Sequence, residues 1–191
     1  MRQKTVFSNH SEVAHIWAQQ TQQTGRSGNV SFDGGKIMSY HWWTMANFVR
    51  PDLVLIRNWS YSNSTSKHMG HVRSSIPGFV DVISVYDPDV SPGLYKPGHI
   101  DNIKDYIEQL KDSFHSFYKG RSENKGHYVK QNAGELAALL RYCELMKCKG
   151  ILKKFKTELW EYTITEQFEP ETIDRLIKDG EKKFNDNLTK Q

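Results

Sequence analysis

Two periodicities meet in this chain, and the place where they meet divides it. Up to residue 86 the apolar residues come in short runs, among them Val30-Ser31-Phe32, Ile37-Met38-Ser39-Tyr40, residues 44–49, Leu53–Arg57 and residues 79–85, each bounded by turn-forming residues. From Ile100 the spacing becomes helical. Ile103, Ile107, Leu110, Phe114 and Phe117 continue it as a seam with heptad-like steps. Asp87-Pro88-Asp89 and Ser91-Pro92-Gly93 lie between the two regimes and read as a linker. The pattern predicts a domain over 1–86, a linker over 87–98 and a helical domain over 99–191.

The local signals fill in these halves. Asn9 and Glu12 have capping-box spacing, and Val13, Ile16 and Trp17 form an apolar stripe, so a first helix starts near Asn9. The glutamine-rich run 19–23 continues its polar face, and Gly25 reads as its stop. Asp33-Gly34-Gly35 marks one hairpin, Arg50-Pro51-Asp52 a second, and together they predict a three- or four-stranded antiparallel meander. A short helix over 65–75 follows, with Met69, Val72 and Ile76 on its apolar face and Pro77 as its limit. Residues 79–85 read as one more strand. Past a polar break at 120–126, Val129, Ala133, Leu136, Leu140 and Cys143 continue the helical spacing, which predicts an antiparallel helix hairpin. Further helices are expected over 151–160 and 171–188, with Pro170 at a first helical position. The fold class is therefore α+β: a small antiparallel meander with two helices, followed by a helical C-terminal region.

Charge separates the halves as well. Residues 1–80 carry eight Lys and Arg against three acids, and five of the eight histidines: His10, His15, His41, His68 and His71. The other 111 residues carry 18 bases against 19 acids, so the formal +4 belongs to the first half. No apolar run approaches the ~20 residues that span a bilayer, and the N-terminus lacks the apolar stretch of a secretory signal. With Cys143 and Cys148 as the only cysteines, read as reduced packing residues, the expectation is a cytosolic protein with no membrane association.

The chemistry is sought in the basic half. His68 and His71 are three apart, but no HExxH, CxxC or spaced carboxylate accompanies them, so neither a metal nor a cofactor is expected. Gly25-Arg26-Ser27-Gly28-Asn29 lacks the spacing of a P-loop, yet it presents Arg26 and Asn29 beside free backbone N–H groups. Residues 59–68 place Tyr61, Ser62, Thr65, Lys67 and His68 at a helix start, where hydroxyls and N–H groups favour an anion. Arg73 follows about two turns on. Tyr40 is one of eight aromatics in this half, and exposed rings in a basic groove read as single-strand recognition. Trp42 and Trp43 cannot both point to one face of a strand. A metal-independent nuclease needs two histidines and a cation. His15 or His41 with His68, and Arg26 or Arg73, fill that inventory, with His15 and His68 as the candidate catalytic residues.

Phe7-Ser8-Asn9-His10-Ser11-Glu12-Val13-Ala14-His15-Ile16-Trp17-Ala18-Gln19-Gln20, then Gly25-Arg26-Ser27, Asn29, Phe32 and Ser39-Tyr40, resemble a family of hypothetical proteins carried by bacteriophages and plasmids. Tyr61-Ser62, Thr65, Lys67-His68 and Val72-Arg73 are similar to that family's second block, so the resemblance covers residues 7–76. After Ser39-Tyr40 the family tends to have a glycine and a histidine, whereas here His41-Trp42-Trp43 follows. The resemblance implies an accessory protein of a phage or mobile element, acting in the bacterial cytoplasm. Three functions stand open: binding of nucleic acid or a phosphorylated nucleotide through the basic, hydroxyl-rich site; counter-defence inhibition of a host protein, anti-CRISPR-like; and histidine-dependent nuclease action. The helical region is also a candidate homodimer surface.

Overall fold

The computed structural model describes residues 4–94, 97–121 and 124–188. Residues 95 and 96 of the predicted linker and 122 and 123 of the predicted break lie outside the described residues. The chain divides into two compact units, residues 1–102 and 103–191, with the division falling inside helix α3 (Pro97–Lys119).

The first unit is a six-stranded sheet with two helices. Strands β1 (Thr24–Ser27), β2 (Val30–Asp33), β3 (Lys36–Ser39), β4 (Trp43–Arg50), β5 (Leu53–Arg57) and β6 (Asp81–Val85) lie side by side in sequence order. The first five form an antiparallel meander, larger than the predicted three or four strands. The sixth runs parallel to β5 and is reached through helix α2 (Asn63–Ser75). Short turns give antiparallel neighbours, whereas a parallel neighbour needs a crossover of this length.

The extra strand is β1, and Gly25 explains why it went unread. Gly25 is not a helix stop; it sits inside β1, directly across from Phe32. A Cβ there would lie 2.5 Å from Phe32 Cε1 and 2.6 Å from Phe7 Cε2, so only glycine lets both rings close over the strand. The edge continues into residues 5–7, where Arg26 N donates to Thr5 O and Phe7 N to Arg26 O, each at 2.9 Å. Helix α1 (His10–Ala18) consequently ends before the glutamine run, and Gln20 takes φ 51° as the chain turns back.

α1 begins as its capping signal predicts. Asn9 Oδ1 accepts from Glu12 N at 2.8 Å, while the Glu12 carboxylate reaches back to the N–H and hydroxyl of Ser8. Val13, Ala14 and Trp17 of α1 and Met69 and Val72 of α2 bury against Val30, Phe32, Ile37, Met45, Ala46, Val54 and Ile56 of the sheet. Beyond β6, residues 87–90 are fastened to this unit. Asp87 N donates to Asn102 Oδ1 and Asn102 Nδ2 donates to Asp87 O, while Asn47 Nδ2 donates to the Pro88 and Val90 carbonyls.

The second unit is helical: the rest of α3, then α4 (Lys125–Leu145), α5 (Lys149–Leu152), α6 (Lys156–Glu161) and α7 (Pro170–Leu188). The predicted α3 seam is buried at Ile103, Ile107, Leu110 and Phe117. The predicted α4 stripe is rotated. Leu140 is exposed, and Asn132 is fully buried because its amide donates to the Leu110 and Tyr162 carbonyls and Ser113 Oγ and accepts from Ile164 N. α4 also lies along α7, so close at Gly126 that a Cβ would meet Leu176 O at 2.5 Å. The predicted two-helix hairpin is a finer statement than these contacts make. The predicted helix 151–160 is broken by a 3₁₀ turn over Lys153–Phe155, and Cys143 and Cys148 are buried and free. Among the described residues no helix is long and apolar enough to cross a membrane.

Two glycine substitutions separate packing from propensity. Gly25→Ala is expected to destabilise by about 1–3 kcal/mol, because the new methyl overpacks two phenyl rings. Gly70→Ala, inside α2 with open space around its Cβ, is expected to stabilise by roughly 0.5–1 kcal/mol. Urea denaturation midpoints that move in opposite directions check both.

Candidate functional site

The sheet register gathers one set of loops at one end. The ends of β1, β3, β5 and β6 and the starts of β2 and β4 share it, and α2 begins from the loop that leaves β5 there. In sheets containing parallel pairs, the carboxyl ends of the strands are the usual place for a ligand. Here that end carries most of the exposed aromatic rings of the first unit.

These rings form a continuous run. Tyr40 and Tyr61 have centroids 6.4 Å apart, Trp42 stacks on Tyr61 at 6.1 Å, and Trp43 meets Tyr61 edge-on at 5.2 Å. Trp43 then meets Trp59 at 5.5 Å, and Trp59 stacks on Tyr86 at 5.6 Å. Trp42, in the turn before β4, is 68% exposed, whereas Trp43, the first residue of β4, is 4% exposed. Tyr40, Trp59, Tyr61 and Tyr86 are exposed too. The Arg57 guanidinium is wedged into the run, 5.3 Å from the Trp43 ring and 5.2 Å from the Trp59 ring. Its Nε donates to Thr44 O, Nη1 to Tyr86 O and Nη2 to Asp87 Oδ1. Burial pushes the Arg57 pKa down and Asp87 pulls it back up. One donor in the run is unmet: Trp43 Nε1 is buried without a hydrogen-bond partner.

Next to the run stands a histidine pair. His10, the first residue of α1, meets His68 of α2 edge-on with centroids 4.6 Å apart. His68 Nδ1 shares a hydrogen bond with Ser39 Oγ at 2.8 Å, and the Tyr40 ring lies 6.1 Å from the His68 ring. Both imidazoles have lowered pKa values. His10 is shifted by burial and then by His71, and His68 by burial and then by His10 and His71. Tyr61 is shifted upward by desolvation and by Tyr40. The turn that presents Tyr40 is strained. Trp42 N donates to Ser39 O across it, and its two central residues, Tyr40 and His41, have φ 53° and 64°. Asn-Gly is the usual pair for such a turn, and each non-glycine residue held there costs about 1–3 kcal/mol.

The predicted residues fall into two groups. Tyr40, Tyr61, Ser62, Thr65 and His68 come together at the aromatic end, and Asn29 joins them through its carbonyl, which accepts from Tyr40 N at 2.5 Å. Ser62 and Thr65 are occupied in a reciprocal capping box, so their hydroxyls serve α2 itself. Lys67 is exposed on α2. Arg73 is exposed as well, with Nη2 on the Arg57 carbonyl at 3.2 Å, and it lines a hollow of about 290 Å³ with Asn58, Trp59, Ser60, Ser66 and Gly70. Arg26 is elsewhere. It pairs with Ser31 on the face opposite Phe32, the face on which His41 Nδ1 meets Ser31 Oγ. His15 is also apart: it is exposed, hydrogen-bonded to Gln19, and lines a separate hollow with Ser74, Ser75 and Pro77. His10 takes the place beside His68 that the sequence reading gave to His15. The sequence signal for it was the helix start itself, since a residue next to an N-cap lies at the end of a helix where loops converge. Among the described residues no three His, Cys, Asp or Glu side chains converge to hold a metal ion.

No family model, no curated protein and no solved structure matches this chain.

The histidine pair makes stability depend on pH. Its folded-state pKa values lie below the ordinary 6.5, so the unfolded chain takes up protons first. Stability is then full above pH 6.5 and falls as the pH drops through 6.5 towards the folded values. Urea midpoints between pH 8 and pH 5 are expected to decline, and His10→Gln is expected to flatten the decline. Glu12 acts in a separate window. The Ser8 hydroxyl and N–H, then Lys4, lower it to about 2, so its contribution is lost between pH 4.5 and that value.

Proposed function

We propose that this protein binds single-stranded nucleic acid, or a phosphorylated nucleotide, at the aromatic end of its sheet. The observation that carries the reading is the run of exposed rings from Tyr40 to Tyr86. A small sheet uses its aromatics for its core, and this one already buries Trp17, Phe32 and Trp43. Trp42, Tyr61, Trp59 and Tyr86 are left at the surface on neighbouring loops, in stacked pairs. Bases stack on such rings whatever their sequence, and only unpaired bases offer their faces. Lys67 and Arg73, exposed on α2, supply the charge for the phosphates, and the hollow at Arg73 has room for one.

The resemblance over residues 7–76 supports a setting for this activity: an accessory protein of a phage or mobile element, working in the bacterial cytoplasm. Trp42, Tyr61 and Lys67 thereby become the binding residues, with Arg26 taking no part. The helical second unit, including any α3–α4 hairpin, is the surface left for a second copy or a host protein.

Binding of labelled 12-mers, measured by fluorescence anisotropy at 50 and 200 mM salt, tests the reading. Affinity for single-stranded RNA or DNA is expected to exceed that for duplex and to fall steeply with salt, because phosphate contacts release counterions. Trp42→Ala and Tyr61→Ala are each expected to weaken binding about tenfold, in line with about 1–3 kcal/mol per stacked base. Arg26→Ala is expected to change little. Absent or salt-insensitive binding contradicts the reading and turns attention to a protein partner.

A further inference from the structure

The aromatic run ends on side chains that stacking does not need. Ser39 on β3, His68 on α2 and His10 at the head of α1 form a chain of contacts: Oγ to Nδ1 at 2.8 Å, then ring to ring at 4.6 Å. His68 is 6% exposed and pinned by Ser39, whereas His10 is only half-buried. The β1–β2 turn is shaped around His10, since a Cβ on Gly28, at φ 48°, would stand 3.1 Å from His10 Nε2. The strained Tyr40-His41 turn holds the Tyr40 ring beside His68. Strain and buried polar pairs of this kind persist where a site requires them.

We propose that this cluster cleaves single-stranded RNA lying on the aromatic run, with His10 as the base, Tyr40 as the acid and His68 with Ser39 as the positioning residues. The inference rests on the binding reading above. His10 takes the proton of a 2′-hydroxyl as that oxygen attacks the adjacent phosphorus. The O2′–P bond forms and the P–O5′ bond breaks, and the Tyr40 phenol gives its proton to the departing 5′-oxygen. The imidazolium then returns its proton to the phenolate through solvent. The products are a 2′,3′-cyclic phosphate and a 5′-hydroxyl, and the step consumes no oxidant, reductant or co-reactant. A base must be neutral to act, and burial, then the neighbouring His71, favour the neutral form of the His10 imidazole. The 2′-hydroxyl is the nucleophile, so DNA is bound and left whole.

The full chain is incubated in EDTA at pH 7 with end-labelled RNA and DNA 12-mers of one sequence. Anisotropy gives binding, and a denaturing gel gives cleavage. Both strands are expected to bind, only RNA to be cut, and a single 2′-deoxy substitution to abolish the cut at its position. His10→Gln is expected to lower kcat about 100-fold or more with binding unchanged. Tyr40→Phe, which keeps the ring, is expected to lower kcat while keeping affinity, and His68→Gln to lower kcat at constant KM. Where His68→Gln does not fold, as judged by circular dichroism, Ser39→Ala provides the same reading. RNA that is bound but stays intact overturns the cleavage inference and leaves the binding reading standing. Loss of binding to both strands overturns both. Cutting of DNA, or cutting that survives His10→Gln, overturns the assignment.

Discussion

The Arg57 guanidinium is the interaction on which this end of the molecule depends. A charge buried without partners costs several kcal/mol, so it must be met on every side. Here Thr44 O, Tyr86 O and Asp87 take its donors, and the Trp43 and Trp59 rings cover its faces. Those partners come from β4, from the loop after β5 and from the segment after β6. One side chain therefore ties three strand ends together and fixes the spacing of three members of the aromatic run. Asn102, which holds both the N–H and the carbonyl of Asp87, extends that anchorage by one layer. A lysine at position 57 would offer one point charge in place of a planar fork and could not satisfy the same set.

Around this rigid anchor the structure gives up stability. Tyr40 and His41 occupy backbone conformations that suit glycine, Trp43 Nε1 is buried unmet, and two imidazoles face each other beside a third. Hydrophobic residues and an Asn-Gly turn would make a more stable sheet end. Such departures from local consistency concentrate at functional sites. All of them lie at the end that carries the exposed rings, while the opposite half of the unit is an ordinary core of Trp17, Ile37, Val54 and Val72.

Local signals were legible in the sequence, and long-range ones were not. The Asn9 cap, the Asp33-Gly34-Gly35 turn, the apolar face of α2 and Pro170 at the start of α7 each depend on residues a few positions apart, and they appear as expected. Gly25 was misread because its reason is the Phe7 and Phe32 rings. Ala133 was taken for a core position and Asn132 was not, because the four hydrogen bonds that bury Asn132 come from α3 and from the segment around Tyr162. In the site, the stretch 61–68 was found from composition, though its hydroxyls turn out to cap α2. Arg26 was expected at the site because it is basic and glycine-flanked, but strand alternation sets it on the other face. The sequence offers His15 or His41 as the partner of His68, and only the packing of α1 on α2 brings His10 there instead.

Ultraviolet cross-linking of a single-stranded RNA to the purified chain, followed by tryptic digestion and mass spectrometry, tests most directly whether the aromatic end binds nucleic acid. Cross-linked bases are expected on the peptides 37–57 and 58–67, at Tyr40, Trp42, Trp59 or Tyr61. Cross-links confined to the helical second unit, or to the Arg26 strand, would contradict it.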